Sequence, residues 1–61
     1  MKRYRIEVLL DGVWLPAPNP CEYNKLTAAI TRYENLETFY VGEGIRIKDY
    51  RNLTVIYQDE R

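Results

Sequence analysis

A chain of 61 residues, 46% apolar and 30% charged, suits one small globular domain near the lower size limit for a core without disulfides or metal. Nine basic residues balance nine acidic ones, which argues against a generally basic nucleic-acid binder and against an acidic nucleic-acid mimic. With no histidine and only Cys21, the commonest general base, an internal disulfide and the usual zinc sites are all missing, so no catalytic residue, cofactor or metal is expected.

The opening RYRIEVLL alternates Tyr4, Ile6, Val8 and Leu10 with Arg3, Arg5, Glu7 and Leu9, the period of a strand with one buried face. Its preceding basic residues and short apolar run fall well below a signal peptide or membrane span, so the expected location is cytoplasmic, with no membrane contact. Asp11-Gly12 is the pair favoured by a two-residue type I′ hairpin. That turn sets Leu10 opposite Val13, Leu9 opposite Trp14 and Val8 opposite Leu15. Pro16, Pro18 and Pro20 then end the second strand, because proline fixes φ and donates no ladder hydrogen bond.

Asn19-Pro20-Cys21-Glu22 has the order of a capped helix start, with Asn as cap, Pro at the first position and Glu three residues on. Tyr23, Leu26, Ile30 and Tyr33, with Ala29 beside them, form the expected apolar stripe. A thiol near that start invites a lowered pKa, although a half-buried structural cysteine is the stronger reading without a partner base. Helical character should fade over 35–37. The segment 38–44 reads either as an extra strand or as the bulged start of the next one.

In the stretch YVGEGIRIKDYRNLTVIY, Ile45 and Ile47 alternate with Arg46 and Lys48, and Leu53, Val55 and Tyr57 alternate with Thr54 and Ile56. A three-residue loop of Tyr50, Arg51 and Asn52 keeps the parity of both strands and pairs Ile47 with Val55 and Ile45 with Tyr57. Asn52 would take the left-handed position. The fold class is therefore α+β: a single domain over 1–61 with an antiparallel ββαββ sheet, or ββαβββ, and one helix on one face.

That plan puts Tyr4, Tyr23, Tyr33 and Tyr57 at the edges of a thin core, with their hydroxyls reaching water. Tyr40 and Tyr50 fall in loops. The uncovered sheet face should carry Arg3, Arg5, Glu7, Arg46, Lys48 and Thr54 together with Leu9, Trp14 and Ile56. Large apolar groups among cations on one exposed face mark a binding surface, and Trp14 is its foremost candidate. Tyr40 and Tyr50 would flank the contact.

No phosphate-binding glycine motif is present, since Gly42-Glu43-Gly44 carries an acid at its centre. In overall plan, a short Tyr-rich ββαββ chain opening MKRYRIEVLLDGVW, the sequence resembles small accessory proteins encoded by phages and other mobile elements. The resemblance covers most of the chain and rests on its plan rather than on a motif. It implies a non-enzymatic inhibitor or modulator that occludes a host or defence protein in a bacterial cytoplasm. Two other readings use the same surfaces: a single-stranded nucleic-acid binder that stacks a base on Trp14, and a homo-oligomeric structural protein, for instance a homodimer joined by a sheet edge.

Overall fold

A computed structural model describes residues 2–40 and 42–59, position 59 by its backbone alone. The elements are β1 (Tyr4–Leu10), β2 (Val13–Pro16), β3 (Glu22–Tyr23), α1 (Leu26–Glu37), β4 (Gly44–Asp49) and β5 (Thr54–Asp59). They build the expected α+β domain, an antiparallel sheet in the order β2-β1-β4-β5 with one helix on one face. The unexpected strand is β3, which follows β2 along the same side of β1.

The first hairpin has the register read from the sequence, Leu10 with Val13, Leu9 with Trp14 and Val8 with Leu15. Both turn residues have positive φ, 52° at Asp11 and 77° at Gly12, as a type I′ turn requires. Residues directly opposite in an antiparallel pair share a face, so β1 and β4 together bury Tyr4, Ile6, Val8, Ile45 and Ile47 beneath the helix. From α1 the buried positions are Ala29, Tyr33 and Leu36, spaced four and three apart. The Tyr33 ring meets Tyr57 edge-on at 5.0 Å, and its hydroxyl donates to the carbonyl of Ile45.

The helix cap lies six residues after the expected one, at Lys25. Residues 17–23 are drawn out along β1 instead: Ala17 donates to the Ile6 carbonyl at 3.0 Å, and Ile6 donates to the Cys21 carbonyl at 2.8 Å. Because β2 stops at Pro16, the first half of β1 needs another partner for its backbone groups, and this demand overrides the local capping pattern. Asn19-Pro20 is a cis peptide, Lys25 is the N-cap and no side chain caps the helix. Tyr23 thus belongs to β3 and donates its hydroxyl to the Pro20 carbonyl. The stripe moves C-terminally, with Leu26 exposed and Leu36 buried.

Neither reading of 38–44 holds for the described residues. The helix ends with Phe39 and Tyr40 both donating to the Leu36 carbonyl, and turns lead into β4 at Gly44. Val41, inside that stretch, lies outside the described residues. The second hairpin also departs from expectation. Its loop has four residues, 50–53, and Leu53 rather than Asn52 takes the positive φ. Asp49 pairs with Thr54, Lys48 with Val55 and Ile47 with Tyr57, which leaves Ile56 as the extra residue of a bulge. The bulge corrects the parity that the loop length would have broken, so Tyr57 still faces the helix whereas Val55 turns to the open face.

Candidate functional site

On the open face, β1 sets Arg5 opposite Lys48 and Glu7 opposite Arg46, while Leu9 lies between Trp14 and Gly44. Strand alternation places all of these side chains away from the helix. Glu7 is their centre and is only 1% exposed. Arg5 donates from Nε (3.0 Å) and Nη2 to its Oε2, and Arg46 donates from Nε to Oε1 at 2.8 Å. The Tyr50 hydroxyl, from the loop after β4, donates to Oε2 and accepts from Arg5 Nη2 at 2.6 Å.

Ring stacking extends the network in both directions. The Arg46 guanidinium lies 4.2 Å from the Trp14 ring centroid, and Arg5 and Lys48 lie 4.8 and 5.0 Å from that of Tyr50. A continuous row results: Trp14, Arg46, Glu7, Arg5, Tyr50, Lys48. Gly44 makes room for one end of it. A Cβ there would lie 3.1 Å from both Leu9 Cβ and Trp14 Cη2, so the indole packs where any other residue would put a side chain.

A carboxylate taken out of water on a sheet face is costly unless its lone pairs are filled by charged donors. Burial resists the charge on Glu7, but the hydrogen bonds from Tyr50, Arg5 and Arg46 outweigh it and hold the carboxyl below its ordinary pKa. Burial and the bond to Glu7 push the Tyr50 phenol up. Arg5 keeps its proton more firmly than usual, because the bonds to Glu7 and Tyr50 outweigh its own desolvation.

Of the candidate residues, the structure brings Leu9, Trp14, Arg5, Arg46, Lys48 and Tyr50 onto one face. Arg3 leaves it. Its guanidinium forks onto Asp49 at 3.1 and 3.0 Å and covers the Tyr4 ring at 4.9 Å. That fork, with Arg51 and Asn52 also donating to the same carboxylate, keeps Asp49 below its ordinary pKa. Ile56 sits in the bulge at the sheet's edge. Tyr40 is on the other side of the domain, packed against the core and lining a groove of about 290 Å³ with Pro18, Arg32, Leu36 and Phe39.

Sequence reasoning placed Glu7 on this face but missed its organising role. The signal was present in a single acid two residues after Arg5 on β1, on a face otherwise rich in cations. Cys21 is buried, and burial, then Glu22, push its thiol up rather than down. Among the described residues no helix is long and apolar enough to cross a membrane, and no cluster of three metal-ligating side chains occurs. Comparison with known protein families, with curated proteins and with solved structures finds no match to this chain.

Proposed function

We propose that the chain is a small non-enzymatic protein-binding module whose recognition surface is the row from Trp14 through Arg46, Arg5 and Tyr50 to Lys48. The observation that carries this reading is the buried carboxylate of Glu7, which fixes two arginines and a tyrosine on a face that has no packing layer to support. A face that merely needed solubility would leave such side chains free. Tyr, Trp and Arg dominate binding hot spots, and side chains ordered in advance lose less entropy on binding.

A rigid module of this size acts by occupying a surface. Its resemblance to phage-encoded accessory proteins suits an inhibitor or modulator of a host or defence protein. The nucleic-acid reading asks Arg5 and Arg46 to meet phosphates, yet both commit donors to Glu7, which favours a protein partner.

The test compares proteins captured by the unaltered chain with those captured by Trp14→Ala and Lys48→Glu, after amide spectra have established that both variants are folded. Partners lost by both variants support the surface, and partners retained by both overturn it. Labelled single-stranded oligonucleotides provide the other arm. Tight binding that weakens steeply with salt would replace the protein partner with nucleic acid.

A further inference from the structure

The two edges of the sheet are built differently. The β2/β3 edge is broken into two short pieces by Pro16, Pro18 and Pro20, a usual protection against pairing with another chain. The β5 edge runs six residues, TVIYQD, without proline or lysine, and among the described residues no strand covers its outer side. Its apolar residues are exposed, Val55 and Ile56 at 40% and Tyr57 at 43%, as is Leu53 in the loop before it, at 72%.

Charge is also distributed unevenly along the strand direction. Lys2, Lys25, Lys48 and Arg51 lie at the end where β1 begins and β4 finishes and outnumber Glu22, which accepts from the Lys2 backbone, while Arg3 there is neutralised by Asp49. At the other end stand Asp11 in the first turn and Glu43 just before β4. The zero net charge therefore conceals a basic pole and an acidic pole.

We propose that the β5 edge is a docking surface for a second copy of this chain, paired antiparallel about a two-fold axis normal to the sheet. Charge selects that occupant and that direction. Antiparallel pairing sets the basic pole of each copy beside the acidic pole of the other, whereas parallel pairing would set like poles together. The sheet becomes continuous through β5 of both copies, with both helices on one side and both Trp14–Lys48 rows on the other. The bulge at Ile56 limits the regular ladder to a short stretch, so the dimer is weak and concentration-dependent. Lys48 contributes charge to both, but no residue of the β5 edge belongs to the recognition row, so pairing through β5 and partner capture can fail independently.

The experiment is sedimentation equilibrium of the whole chain up to about 1 mM, with amide exchange of β5 followed at low and high concentration. The expected result is a monomer–dimer equilibrium in which β5 amides gain protection as concentration rises. Ile56→Lys should abolish dimerisation, and Arg51→Glu should weaken it by roughly fivefold to tenfold at low salt. Added salt should also weaken the dimer of the unaltered chain. A monomer throughout the range overturns the proposal. So does a dimer whose β5 amides gain no protection, or one that Arg51→Glu or added salt strengthens. The exchange measurement on the unaltered chain decides the case even where a variant fails to fold.

Discussion

Glu7 and Tyr50 lie 43 residues apart in sequence and meet in a hydrogen bond on the open face of the sheet. The phenol supplies one of the donors that make a nearly inaccessible carboxylate tolerable, and its ring carries the stacked Arg5 and Lys48. Removing only the hydroxyl, in Tyr50→Phe, should cost about 1.5–2 kcal/mol, the lower part of the range for a hydrogen bond to a charged group. Glu7→Gln should cost more, about 3 kcal/mol, because two half-buried guanidiniums lose a buried counter-charge. Urea denaturation monitored by circular dichroism measures both. If Glu7→Gln were neutral, the network would be a surface ornament without structural weight.

The same network sets the acid limit of the fold. Glu7 and Asp49 both have folded pKa values below their ordinary ones. Their contribution is thus fully present above the ordinary carboxylate range, near pH 4, and is lost as pH falls through the folded values. Stability should therefore decline steadily below about pH 4, and Glu7→Gln should flatten that decline. Tyr50 works in the opposite sense. Its raised pKa gives stability that is present below the ordinary phenol value of about 10 and is lost as pH rises through the folded one. Denaturation midpoints collected against pH for the unaltered chain and for both variants would show each limb.

The elements that were legible in the sequence are those in which local pattern and global pairing agree. Alternation in β1, the Asp11-Gly12 turn and the register of β2 reinforce one another, so the first hairpin and its share of the open face could be read directly. The start of the helix could not. Asn19-Pro20-Cys21-Glu22 has good cap chemistry, but the unpaired half of β1 competes for the same residues. A bulge likewise escaped notice because parity can be restored by an extra residue in a strand as well as by loop length. The residues of the open face could be assigned in part because strand parity sorts side chains between faces. What parity does not reveal is that Arg3 folds back onto Asp49, or that Glu7 gathers its neighbours.

That correction makes a direct prediction about the helix. Asn19→Ala should change stability by less than about 0.5 kcal/mol, since no helix N–H depends on its side chain. Leu36→Ala, which removes a buried side chain from the displaced stripe, should cost about 3 kcal/mol. A cost near 1 kcal/mol for Asn19→Ala, measured in the same denaturation assay, would return the helix start to the position its sequence suggests.

Gly44→Ala tests the space beneath the indole. The new methyl would press against Leu9 Cβ, which is tied to the backbone, and against the far edge of the Trp14 ring. The ring can yield and Leu9 cannot, so the substitution should destabilise by about 1–2 kcal/mol and tilt the indole away from Arg46. A shift in tryptophan emission accompanying the loss of stability would report that tilt. Unchanged emission and unchanged stability would mean that the face is more loosely packed.

Trp14 joins the fold to the proposed function. Its backbone is fixed by pairing with Leu9, its ring covers Gly44, and the Arg46 guanidinium lies over one face. The indole is therefore half-buried in the isolated chain, and its emission should lie between those of a free and a core tryptophan, with partial quenching by acrylamide. Fully burying such a ring is worth 3–5 kcal/mol against alanine, so half-burial implies about 2 kcal/mol for Trp14→Ala. Part of that belongs to the stack, for which cation–π pairs at partly covered sites contribute about 0.5–1 kcal/mol. A double-mutant cycle of Trp14→Ala with Arg46→Ala isolates it, provided that the Glu7 bond lost with Arg46 is referenced through the single variants. A coupling of that size, with intermediate emission, would show the ring held in place before any partner arrives. Zero coupling with the emission of a free indole would mean that the ring swings out, and the recognition row would then lack its aromatic end.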